Sequence, residues 1–210
     1  DRRKFEMYCI VLLAIVAAVS ATSCPEVTPV NNFNFASYGQ GTWYEVARYP
    51  TPAEEGAECG STEYKLEGDV IKVKSYHVAK NKAAYIEGTA KLAPDAGKFG
   101  KVIHTLPYGR TDNLLNILAI DYDKYLVAYY CKYDEATKSH KDFAWVLSRT
   151  KTLSPESKAA VDKVIKESNV LEAENFIYPK FTEEACKAFG SRGSYYDNSL
   201  KKAVLDYYIN

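Results

Sequence analysis

The chain has 210 residues, 47% of them hydrophobic, and its 27 Lys and Arg offset 27 Asp and Glu to a formal net charge of zero. That balance excludes the one-sided basic footprint of a nucleic-acid binder and the polybasic patch of a protein held at a membrane surface. The length suits one domain with a substantial core, and no shift of composition marks a second.

In chain order, the only methionine is Met7, and Tyr8 to Val19 is an unbroken apolar run closed by Val19-Ser20-Ala21. Small residues at the first and third of those places suit signal peptidase, and the run falls short of the ~20 residues a membrane-spanning helix needs. Residues 1–21 are therefore expected to be a removed signal peptide with upstream residues, among them the basic Arg2, Arg3 and Lys4. The mature domain is expected over residues 22–189, with 21 basic and 23 acidic residues and a charge of −2. The tail 190–210 opens on Gly-Ser-Arg-Gly-Ser, fits no pattern upstream, and is read as flexible or as a cloning or assembly artefact.

Cys9 leaves with the leader, so the mature chain keeps Cys24, Cys59, Cys131 and Cys186, an even set in an oxidising compartment. Two disulfides are expected, with three pairings open. The spacings match no zinc pattern, and His77, His104 and His140 are scattered among strands, so no metal site is expected. His104 and His140 are read as surface or loop residues without a role. No Asn-x-Ser/Thr sequon occurs.

From Trp43 to Arg149 the sequence runs as short segments rich in Val, Ile, Tyr and Thr, punctuated by Gly, Pro, Asp and Asn. Eight strands are predicted, roughly Thr42 to Arg48, Ser61 to Leu66, Val70 to Val78, Ala84 to Leu92, Lys98 to His104, Asn113 to Ile120, Tyr125 to Tyr133 and Phe143 to Ser148. Links such as Glu67-Gly68-Asp69 are short enough for hairpins, which makes neighbours antiparallel. A helix follows, with Ser154 as N-cap, Pro155 in the first turn, and an apolar stripe of Ala160, Val161, Val164 and Ile165. A last short strand is predicted over Asn175 to Tyr178. The fold class is thus all-β, an eight-stranded antiparallel up-and-down barrel with one C-terminal helix packed on its wall.

Strand alternation assigns the faces. Ile71, Val73, Ser75 and His77 share one side of the third strand and look inward, against Lys72, Lys74 and Tyr76. In the seventh, an outward Cys131 would turn Tyr130 and Lys132 inward. In the eighth, Phe143, Trp145 and Leu147 form the larger apolar face.

Three short stretches, Gly41-Thr42-Trp43 on the first strand, Asp121-Tyr122 between the sixth and seventh, and Arg149 after the eighth, resemble the signatures of the lipocalins. The resemblance implies that Trp43 closes the barrel floor with Arg149 across its ring; these five residues, Gly41, Trp43, Asp121, Tyr122 and Arg149, are structural. Longer stretches narrow it: Cys24-Pro25-Glu26-Val27, Trp43 to Pro50, Ser75-Tyr76-His77-Val78, Tyr129 to Glu135, and Phe143 to Arg149. Together they look like the insect bilin-binding proteins and insecticyanins, the biliverdin carriers of Lepidoptera. The likeness spans about residues 24–188. It implies disulfides Cys24 with Cys131 and Cys59 with Cys186, non-covalent biliverdin, and secretion into haemolymph, cuticle or epidermis.

A linear tetrapyrrole needs flat apolar walls, a few hydrogen-bond partners and a cationic or open rim for two propionates. Tyr130, Phe143 and Trp145 offer the walls, and Ile86 and Leu106 aliphatic filling. Ser75 and His77 can bond the pyrrole or lactam edge, Tyr108 or Tyr130 can add a hydroxyl, and Lys132, with Lys141 toward the rim, can approach a propionate. Any of these apolar residues would also fill a barrel without a pigment. A lysine inside an apolar barrel is costly without a partner, which makes Lys132 the sharper pointer to an anionic ligand.

The function expected is that of a secreted blue pigment carrier for coloration, storage or sequestration. The alternative is a carrier of another hydrophobic ligand, such as a retinoid, carotenoid, fatty acid or odorant. An enzyme is not expected: there is no Gly-x-Ser-x-Gly elbow and no phosphate-binding glycine loop, and both bridges together leave no free thiol. The expected partner is a small hydrophobic ligand, with no nucleic acid and no membrane; homo-oligomerisation stays open.

Overall fold

The computed structural model describes residues 23–105 and 112–190. The predicted leader, the tail beyond Gly190, and Leu106 and Tyr108 lie outside the described residues. Two compact units divide the rest, one of residues 23–26 and 131–142, the other of residues 27–130 and 143–190, less the gap.

Eight strands, β1 (Gln40–Arg48), β2 (Glu58–Glu67), β3 (Val70–Ala79), β4 (Lys82–Leu92), β5 (Lys101–Thr105), β6 (Asp112–Asp121), β7 (Tyr125–Asp134) and β8 (Ser139–Ser148), form a closed barrel in sequence order. Strands β1 to β7 pair antiparallel in succession, and β1 closes the barrel on β8 with Tyr44 opposite Ser148. The β2–β3 turn places Gly68 at φ +66°, a conformation that glycine takes without steric cost. β5 starts at Lys101, three residues later than the sequence suggests, because Phe99 and Gly100 are held by other partners: Phe99 N–H bonds Ala96 O and Gly100 N–H bonds Val30 O.

A single helical turn, α1 (Phe35–Tyr38), precedes β1, capped by the Asn34 side chain accepting from Ser37 N–H. The predicted helix is α2 (Pro155–Glu167): the Ser154 side chain accepts from Ser157 N–H, and Val161 and Ile165 are buried as α2 lies against β6. The wall also carries a second C-terminal helix, α3 (Glu183–Gly190), against β2, β3 and β4. Residues Asn175 to Tyr178 do not form a strand. Ala173–Asn175 make one 3-10 turn, and only Ile177 bridges Arg48, since Pro179 stops further pairing.

The larger unit holds the core. Trp43, Ile71, Ala90, Val102 and Ile117 are fully buried, and Tyr38, Tyr64, Val73, Leu126 and Ala128 join them in one cluster. In this unit Cys59–Cys186 ties β2 to α3; in the smaller unit Cys24–Cys131 ties the residues before Pro25 to β7. Both pairings are those the resemblance implies. Each closes a loop of more than a hundred residues and contributes on the order of 2–4 kcal/mol by restricting the unfolded chain.

Candidate functional site: a lined barrel cavity

One end of the larger unit is sealed. The Trp43 indole, 0% exposed, has the Arg149 guanidinium 3.6 Å above its ring. Arg149 donates Nε–H to Tyr122 O (2.9 Å) and Nη1–H to Gln40 O (2.7 Å) and Thr42 O (3.2 Å). Gly41 lies beneath, at φ +70°, where an added Cβ would stand 3.4 Å from Nη1. The Tyr122 hydroxyl accepts from Asn34 N–H at 2.7 Å, and Asp121 closes the β6–β7 turn by accepting from Asp123 N–H. The Arg149 contacts tie the start of β1 to the residue that follows β8.

Above this seal a cavity gives about 170 Å³ to the centres of water molecules. Its wall is built where strand alternation turns side chains inward. β3 supplies Ser75 and His77, β4 Ile86, β7 Leu126, Ala128 and Tyr130, and β8 Trp145 and Leu147. Phe143 is 2% exposed and is not among the lining residues. It stacks on Tyr130 at 5.1 Å between ring centroids and on Trp145 at 6.2 Å, which makes a continuous aromatic wall. Ser75 Oγ hydrogen-bonds Thr62 Oγ1 across the β2–β3 pair at 2.9 Å. His77 Nε2 is buried and has no hydrogen-bond partner, and burial beside Arg48 lowers its pKa and keeps the ring neutral. Lys132 and Lys141 belong to the smaller unit and are not among the lining residues.

Two parts of the lining were not anticipated. The first is ionic: Glu45 and Glu54 both face the cavity, and Arg48, 1% exposed, joins them. Arg48 Nη1 donates to Glu45 Oε1 at 2.6 Å and Nη2 to the carbonyls of Glu54 (2.8 Å) and Ala57 (3.1 Å), while Nε lies 3.8 Å from Glu54 Oε2. One guanidinium against two half-buried carboxylates would leave an excess of negative charge if both were ionised. Burial, then the charge of Glu54, push the Glu45 carboxyl up to about 8 against the pull of Arg48. Burial also raises Glu54, opposed by Arg48. The register shift between Glu45 and Ala47 is the local cause. It breaks the alternation of β1, so that Arg48, on the outward parity, comes to Glu45.

The second is a floor of Tyr38, Tyr64 and His104. Tyr38 Oη lies 3.1 Å from Tyr64 Oη and 2.9 Å from His104 Nε2. His104 is thus not a surface or loop residue: it sits on β5 opposite Ala90, in the cavity lining, and burial depresses its pKa to about 4. Among the described residues no group of three or more His, Cys, Asp or Glu is placed to hold a metal ion. No helix among them is long and apolar enough to cross a membrane.

Against known proteins, the Lipocalin / cytosolic fatty-acid binding protein family matches residues 40–183. The chain belongs to this family. Among its relatives, the bilin-binding protein of Pieris brassicae is 45% identical over 188 residues, covering 86% of this chain and 98% of that protein. Insecticyanin-A of Manduca sexta is 38% identical over 169 residues, covering 78% and 89%. The solved structure of insecticyanin from Manduca sexta superposes with a TM-score of 0.74 at 36% identity, over 79% of this chain and 90% of that one. As a lipocalin, the chain is a carrier of small hydrophobic ligands built on this barrel.

Proposed function

We propose that this lipocalin is a secreted, non-enzymatic carrier that binds biliverdin non-covalently in the cavity. The observation that carries the proposal is a buried His77 Nε2 without a partner in a lining that also holds Tyr130 and Trp145, with Phe143 stacked against both. A buried polar atom left unpaired costs about 1–3 kcal/mol, so a ligand that bonds His77 as it covers the aromatic wall gains twice. Biliverdin offers both a conjugated face and polar pyrrole and lactam edges. Ser75 and Ile86 would border the same edge and face. The two disulfides use all four cysteines of the described residues, which leaves no thiol for a thioether to the pigment or for thiol catalysis. The likeness to a bilin-binding protein and an insecticyanin supports the ligand class.

Among the described residues the lining carries the carboxylates of Glu45 and Glu54 and no lysine, so it offers the propionates no ammonium partner. That same absence favours a second reading, a carrier of a neutral hydrophobic molecule such as a retinoid. Titration of the purified protein with biliverdin separates the two. A saturable one-to-one rise of a long-wavelength visible band, with quenching of tryptophan fluorescence, supports the tetrapyrrole. A protein that stays colourless and takes up none refutes it. His77→Ala is expected to shift the band or to lower affinity by roughly five- to tenfold, the weight of about one hydrogen bond.

A further inference from the structure

The neutral floor of the cavity has a chemistry distinct from its aromatic wall. Tyr38 is 1% and Tyr64 6% exposed, and both line the cavity with His104. Each phenol has one proton to give, and a neutral imidazole gives from one nitrogen and accepts at the other. Two orders of protons satisfy the same distances. In one, Tyr64 donates to Tyr38, Tyr38 donates to His104 Nε2, and the imidazole proton sits on Nδ1. In the other, His104 Nε2–H donates to Tyr38, Tyr38 donates to Tyr64, and the Tyr64 hydroxyl proton is released toward the cavity, with Nδ1 an acceptor. The trio therefore presents a donor at either end without moving a heavy atom.

It presents no charge. Burial holds the His104 pKa near 4 and pushes the Tyr64 phenol up to about 12, so all three groups are neutral across the physiological range. The nearby Arg149 directs donors to the carbonyls of Tyr122, Gln40, Thr42 and Ser37 and its face to Trp43, and burial outweighs the pull of its charge on the Tyr64 phenol. A carboxylate brought to this floor would lose its hydration, which Arg149 offsets only in part, as it does for the Tyr64 phenolate.

We propose that Tyr38, Tyr64 and His104 form a floor subsite that recognises a neutral donor-and-acceptor group of the ligand, a lactam, amide or hydroxyl, and excludes a carboxylate. Tyr64 and His104 make the contact, and Tyr38 is the positioning residue between them. The inference rests on the reading of this cavity as the carrier site, but not on the ligand being a tetrapyrrole.

Two ligand pairs test it, with the full chain at pH 7 and tryptophan quenching as the readout: biliverdin against its dimethyl ester, and retinol against retinoate. Tyr64→Phe is expected to weaken biliverdin and its ester by the same factor, about fivefold, because the propionates do not reach the floor. The wild type is expected to prefer retinol to retinoate by about tenfold or more, and Tyr64→Phe to reduce that preference by weakening retinol alone. His104→Gln serves as a second variant, and unchanged thermal unfolding shows that either remains folded. Failure of biliverdin to bind, with the retinol preference intact and sensitive to Tyr64→Phe, sinks the tetrapyrrole proposal and keeps the floor. Equal binding of retinol and retinoate, affinities untouched by both variants, or no uptake of any of the four ligands overturns the floor subsite.

Discussion

Glu45→Gln is the substitution with the most calculable effect. In the folded chain the Glu45 carboxyl titrates at about 8, against 4.5 for an unperturbed glutamate, because it is buried and shares Arg48 with Glu54. At pH 6.5 the folded protein therefore holds a proton that the unfolded chain has released. A raised folded-state pKa gives stability that is complete below the unfolded value and is lost as pH rises through the folded one. Integrated from pH 6.5 to 9, that loss is about 2 kcal/mol. The lowered values of His104 and His77 work in the opposite sense, adding stability as pH rises through the ordinary histidine range, but both residues are present in both proteins and cancel in the comparison. The amide introduced by this substitution would keep an oxygen for Arg48 Nη1 but have no proton to lose. Urea unfolding followed by far-ultraviolet circular dichroism at four pH values across this window is the assay. The wild type is expected to weaken by about 2 kcal/mol more than Glu45→Gln across this window, the histidine and Glu54 contributions being common to both. Equal slopes for the two proteins would refute the buried two-carboxylate cluster.

Arg149→Leu removes the cation over Trp43 and leaves the carbonyls of Tyr122, Gln40 and Thr42 without their donor; a loss of about 2–4 kcal/mol in urea unfolding is expected. Ser154→Ala deletes the α2 cap that accepts from Ser157 N–H and should cost about 1 kcal/mol while leaving ligand affinity unchanged. The double variant Cys59→Ser with Cys186→Ser frees α3 from β2 and is expected to lose about 2–4 kcal/mol, with faster proteolysis near α3. A stability equal to that of the wild type would show that the 127-residue separation of this bridge confers no constraint on the unfolded chain.

The barrel was legible because period-two alternation and short polar links recur eight times, and because Ser154-Pro155 is a strong local helix start. The seal of Trp43 by Arg149 was legible as a motif. What escaped depends on contacts far apart in sequence or on broken alternation. His104 finds its partner Tyr38 66 residues away, and nothing local distinguishes it from an exposed strand histidine. Arg48 sits on the outward parity of β1, and only the bulge after Glu45 brings it to the carboxylates. The helix α3 did leave a signal: Thr182 before Glu183 and Glu184, with the Thr182 hydroxyl accepting from Ala185 N–H, is an N-cap and acidic first turn. Asn175 to Tyr178 read as a strand on composition, yet they lack a strand partner beyond the one bridge from Ile177 to Arg48.

A crystal structure of the protein soaked or grown with biliverdin tests the central claim most directly. The proposal predicts the tetrapyrrole in the cavity of the larger unit, its face on Tyr130 and Trp145 and a polar edge within hydrogen-bond distance of His77 Nε2. A pigment bound elsewhere, or one inside the cavity that leaves His77 Nε2 unpaired, would contradict it.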